Sequence, residues 1–217
     1  MTQEQDNQQE MLLARALRRM LPFYLAFIAL VTLAYGLLNT RINANWSIGD
    51  WLINYRGGFV RRGFPGEVAL DLAHALHLSP VYIVLLWQFF FYGVILYVIW
   101  RLTSTIRWNL WLVLLLVSPA TLAFHVLDPT AGFRKEILLF AGLGILLLWM
   151  LQGVQHISAV IAYVTALCVV CVLSHEALMI FFPYIVGALW LGFGKLRRVT
   201  AVAAIPALAT LLAASSW

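Results

Sequence analysis

PVYIVLLWQFFFYGVILYVIW, residues 80–100, is a long apolar run and holds no charge. A helix of about 20 apolar residues rises far enough, at about 1.5 Å per residue, to cross the roughly 30 Å hydrocarbon layer of a bilayer. Outward from this stretch, comparable runs lie at about 21–39, 108–125, 137–152, 157–174, 177–194 and 199–214. The expectation is an all-α chain: a polytopic transmembrane helical bundle of about seven spans, with residues 1–20 as a cytoplasmic N-terminal segment and 21–217 as a single membrane domain.

Composition agrees. Of 217 residues, 63% are hydrophobic and 11% charged, with a mean hydropathy of +0.90, far more apolar surface than one soluble core buries. The net charge of +5 comes from 12 arginines and two lysines scattered between apolar runs, so no nucleic-acid-binding domain is formed. Cys168 and Cys171 sit one helical turn apart inside an apolar run, where they read as small packing residues. A Gln-rich stretch and Arg15, Arg18 and Arg19 precede the first span, and no small-residue cleavage site follows it, so it reads as a retained anchor. The chain stops at Trp217 directly after the last apolar run, which reads as a shortened homologue or fragment.

Short positive loops orient membrane proteins. A cytoplasmic N-terminus puts Arg15, Arg18, Arg19, Arg101, Arg107, Lys195, Arg197 and Arg198 inside, beside spans and without acidic partners. Outside then lie Arg41, Arg56, Arg61, Arg62, Arg134 and Lys135, mixed with Asp50, Glu67, Asp71, Asp128, Glu136 and Glu176. The chain is expected to cross its membrane several times, with the N-terminus in the cytoplasm.

Three polar clusters meet that outer face. In the first, Asp50 precedes Arg56-Gly57-Gly58 and Arg61-Arg62-Gly63: glycines admit close backbone approach, and arginine forks match phosphate oxygens. A turn whose arginines pair with local carboxylates or lipid phosphates reads the same residues without a ligand. Pro65 opens a short interfacial helix, with Val68, Leu72 and Leu76 on one face and Glu67, Asp71 and His74 on another. That acidic face admits a divalent metal without requiring one.

The second cluster is His125, Asp128 and Arg134-Lys135-Glu136. Either Arg134 and Lys135 bind a phosphate leaving group, or Asp128 caps a helix and the two cations snorkel to headgroups. The third, Ser174-His175-Glu176, breaks the apolar stretch 157–194. It offers a histidine base beside a carboxylate, or simply a polar hairpin turn.

Arg41 with Gly49-Asp50 and Tyr55, the FRKEILLF run holding Arg134, and the SHEAL break together resemble the EpsG/Wzy-type family of bacterial polysaccharide polymerases. The long first outer loop with an acidic residue is also similar to GT-C membrane glycosyltransferases. These resemblances imply transfer of polyprenyl-diphosphate-linked sugars at the periplasmic face. Such a transfer needs a base near the acceptor and cations for the leaving group, which makes His175, Asp50, Asp128 and Glu176 the candidate catalytic groups, and Arg56, Arg61, Arg62, Arg134 and Lys135 the substrate-binding groups. Membrane lipid and the lipid-linked sugar are the expected partners, together with other membrane proteins. A non-catalytic membrane subunit or lipid-binding scaffold is the competing expectation, and a small-solute transporter the third.

Overall fold

The computed structural model describes residues 3–41, 46–60, 62–106, 108–153 and 156–192. Among them every regular element is helical. The span expected at 199–214, the cations at 195, 197 and 198, and Arg61 lie outside the described residues.

Helix α1 runs Gln3–Arg41 and carries the first apolar run within a longer helix. Two short helices follow, α2 (Trp46–Trp51) and α3 (Phe64–Leu76), then α4 (Pro80–Thr105), α5 (Leu110–Val117), α6 (Phe124–Leu127) and α7 (Pro129–Gly132). The last part comprises α8 (Glu136–Leu151), α9 (Ile157–Ser174), a 3-10 turn (Glu176–Phe181) and α10 (Phe182–Gly192).

Three stretches are long and apolar enough to cross a membrane: Ala14–Leu38, Pro80–Thr105 and Ile157–Ser174. Within their most apolar windows only 28%, 33% and 39% of residues are buried, so most of that surface faces outward, Phe23 and Phe27 of α1 among it. Such exposure is costly in water and natural against lipid tails. Together these features mark a membrane protein.

The other expected spans come out shorter. α8 has 16 residues and α10 has 11. The run at 108–125 breaks after Val117, because Pro119 supplies no N–H and pushes Ser118 into an extended conformation with ψ 137°. Four turn-forming residues separate Pro119 from α6.

α4 is the central post. It packs on α1 along one side and α8 along another, with α2 and α3 against its N-terminal half; α8 in turn carries α9 and α10. Three apolar clusters result. Leu21 and Leu25 of α1 meet Leu116 and Leu122; Trp51, Ala69, Val84 and Ile137 join α2, α3, α4 and α8; Leu146, Val164 and Leu189 join the last three helices. Arg18 donates to the Ser104 carbonyl at 2.9 Å, so the basic N-terminal segment and the C-terminal end of α4 share one end of the bundle.

The short helix α3 buries a different face from the one its large residues outline. Pro65, Gly66, Ala69 and Ala73 pack inward, while Leu72 and Leu76 are exposed. Small residues allow backbones to approach closely, and a Cβ added to Gly66 would collide with the Ile53 carbonyl. Gly66→Ala is therefore expected to cost about 1–3 kcal/mol, the usual penalty for overpacking a tight contact. It should appear as a lowered unfolding midpoint of the purified protein in detergent. Gly49→Ala, where no atom stands within 4 Å of the added carbon, should leave the midpoint nearly unchanged.

Candidate functional site

The loop from Gly132 to Lys135 is where the elements converge. Its carbonyls are buried, and buried carbonyls need donors. Trp51 Nε1 and Gln88 Nε2 both donate to the Phe133 carbonyl, at 2.9 and 2.8 Å, and the Tyr92 hydroxyl donates to the Gly132 carbonyl. Trp51 is held in turn by Trp87 and Phe91, each with ring centroids 6.2 Å away. The Phe133 ring packs edge-on against Tyr92, and His125 lies against Tyr92 with centroids 4.2 Å apart while its Nε2 donates to Thr32 Oγ1, whose own hydroxyl donates to the Ile28 carbonyl. Thus α1, α2 and α4 together fix the backbone that leads into α8.

This pinning sends two adjacent cations in different directions. Lys135 is fully buried, donates from Nζ to the Arg62 carbonyl at 3.0 Å, and stands 3.9 Å from Asp50 Oδ1. That last distance is too long for a hydrogen bond, so the attraction to Asp50 is Coulombic. Asp50 is itself buried, 5% exposed, and its Oδ2 has no hydrogen-bond partner among the described residues; the same holds for Ser47 Oγ one turn earlier on α2. Arg134 instead pairs with Glu136 at 3.4 Å, on a second cavity that His125 and Tyr92 also line.

An apolar groove of about 600 Å³ is walled by Trp51, Pro65, Leu86, Phe90, Leu138 and Ser174, among others, and Trp51 is the chain neighbour of Asp50. Ser174 ends α9, and the following residue, His175, breaks the helix in extended backbone. The ring is buried, and its Nδ1 accepts the Ala177 N–H at 3.1 Å, which leaves Nε2 as the protonated nitrogen when the imidazole is neutral.

The remaining candidates stand apart. Asp128 is exposed and caps α7: its Oδ1 accepts from the Thr130 hydroxyl at 2.6 Å and the Ala131 N–H at 3.1 Å. Those bonds, the Thr130 hydroxyl first, hold its carboxyl below the ordinary range. Arg56 is exposed, on the glycine turn where Gly58 takes φ +122°, and faces a separate surface pocket with His74 and His77. Glu67 accepts the Tyr55 N–H at 3.0 Å. Among the described residues no group of three metal-ligating side chains comes together, the Glu67–Asp71–His74 face included. The side chains of Arg41 and Glu176 lie outside the described residues.

The donors Trp51, Gln88 and Tyr92 are absent from the sequence-derived candidates. One signal does point to them: a lone glutamine in an otherwise apolar span needs an internal partner.

Compared with known proteins, the chain matches no family model, no curated protein and no solved structure.

Removing one member of the buried pair strands the other charge. Lys135→Met or Asp50→Leu alone is expected to destabilise by about 3–5 kcal/mol, and the double replacement to recover at least half of that loss. Unfolding of the three variants in detergent checks the cycle; strictly additive losses would show that the two groups do not interact.

Proposed function

We propose that this chain is a membrane-embedded glycosyltransferase, polymerase-like in character, acting on a polyprenyl-diphosphate-linked sugar at the periplasmic face of a bacterial inner membrane. On this reading the chain crosses the bilayer about seven times with its N-terminus in the cytoplasm, and α3 lies at the interface. The observation that carries it is one juxtaposition. An apolar groove of about 600 Å³ is walled by Trp51 and Ser174, the chain neighbours of Asp50 and His175, and Lys135 stands beside Asp50. A lipid-linked sugar needs that combination: a greasy slot for the prenyl chain, a cation for the diphosphate, and a base near the acceptor.

In the proposed reaction the acceptor hydroxyl oxygen attacks the anomeric carbon. The bond from that carbon to the diphosphate oxygen breaks, the lipid diphosphate leaves with the electron pair, and the acceptor proton passes to the base. Asp50 takes the proton, or His175 does so through Nδ1 on giving up its bond from the Ala177 N–H. Lys135 and Arg62 stabilise the departing diphosphate, while Arg56 faces a separate pocket and is left out of this role. Arg134 faces the other cavity and is left out of this role, and Asp128 acts as a helix cap. Lys135 takes up its role at the diphosphate when bound substrate draws it from its burial.

That burial favours a second reading, in which the pair is a tether inside a non-catalytic membrane subunit. The two readings separate by experiment. Asp50→Asn and His175→Ala, in variants that insert and accumulate normally, are expected to lower transfer of radiolabelled lipid-linked sugar by about 100-fold or more for whichever residue is the base. Normal transfer in both would sink the enzymatic reading. A tether, in contrast, tolerates exchange of the two charges in the double variant Asp50→Lys, Lys135→Asp.

A further inference from the structure

The second cavity, about 560 Å³, lies across the α4–α8 contact from the groove, and the two share no lining residue. Its volume is that of a small-molecule site. Ile95 and Ile99 of α4, Leu115 and Leu116 of α5, Phe140 of α8 and Phe181 give it apolar walls; its polar end is formed by Arg134 and Glu136. His125 also borders it, but its ring is already engaged by Thr32 and Tyr92, so it serves as wall.

The Arg134–Glu136 pair is incompletely satisfied. Its contact joins one guanidinium nitrogen to Glu136 Oε1 at 3.4 Å, while Arg134 Nε and Glu136 Oε2 have no hydrogen-bond partner among the described residues. One donor and one acceptor, both shut off from solvent, therefore stand idle on residues that line the polar end of an apolar cavity. Both side chains are partly exposed, 34% and 25%, so rotation about their outer torsions turns these atoms toward a ligand.

We propose that this cavity holds one acyl chain of a phospholipid whose headgroup carries both a phosphate and a primary ammonium, as phosphatidylethanolamine does. The phosphate accepts from the Arg134 fork, and the ammonium donates to Glu136. Charge decides between lipids. A purely anionic headgroup meets repulsion from Glu136, and a quaternary ammonium has no N–H to give to Oε2. The site is independent of sugar transfer and needs only that the protein be embedded in lipid.

The test uses the full chain, delipidated in mild detergent and titrated separately with dioleoyl phosphatidylethanolamine, phosphatidylcholine and phosphatidylglycerol, with bound lipid counted by native mass spectrometry. One phosphatidylethanolamine per chain should bind about tenfold more tightly than either other lipid, the difference expected of one charge-assisted hydrogen bond. Glu136→Gln should abolish the preference over phosphatidylcholine. Ala120→Trp fills the cavity and leaves the charged pair untouched, so it should lower binding of phosphatidylethanolamine whether or not the first variant folds. Equal binding of the three lipids, or a preference that survives Ala120→Trp, overturns the proposal.

Discussion

The buried carbonyls of Gly132 and Phe133 set the terms for this molecule. A non-helical turn inside a helical bundle exposes backbone acceptors that lipid and packed side chains cannot satisfy. Here Trp51, Gln88 and Tyr92 supply the donors from two other helices. Because these bonds fix where the backbone enters α8, they also fix where the next side chains go. Lys135 turns to Asp50 and Arg134 to Glu136, which makes two polar centres from one basic dipeptide.

Arg134 and Glu136 line one apolar cavity, Trp51 next to Asp50 lines another, and α4 and α8 wall both. A charge is costly near hydrocarbon unless it is paired, hydrogen-bonded or used. Lys135 meets that condition through the Arg62 carbonyl and Asp50 together, which links the glycine-rich loop to the start of α8. Arg134 and Glu136 meet it less completely. The difference is physical grounds for assigning them different work: the first pair stands with the proposed transfer chemistry, and the second with the proposed headgroup site.

Much of the helical layout was legible in the sequence. The run expected at 157–174 is helix Ile157–Ser174, and those expected at 80–100 and 137–152 correspond to Pro80–Thr105 and Glu136–Leu151. Long apolar runs bounded by proline, glycine or charge have few other solutions. The break after Val117 was harder to read, since Ser118 and Pro119 interrupt a composition that stays apolar on both sides. The face by which α3 packs was not legible either: hydrophobicity marks its leucines, whereas close approach selects Ala69 and Ala73. At the site, types and rough neighbourhoods were legible, but the divergence of Arg134 from Lys135 was not. It depends on hydrogen bonds from Gln88 and Tyr92, forty or more residues earlier in the chain.

The contact between Lys135 and Asp50 is the point on which this arrangement turns. A solid-state NMR measurement of dipolar coupling between the Lys135 ammonium nitrogen and the Asp50 carboxyl carbon, in bilayers, reads it directly. The account predicts clear dephasing, in keeping with an Nζ–Oδ1 separation of 3.9 Å. Absence of coupling, with Lys135 in contact with water, would contradict it.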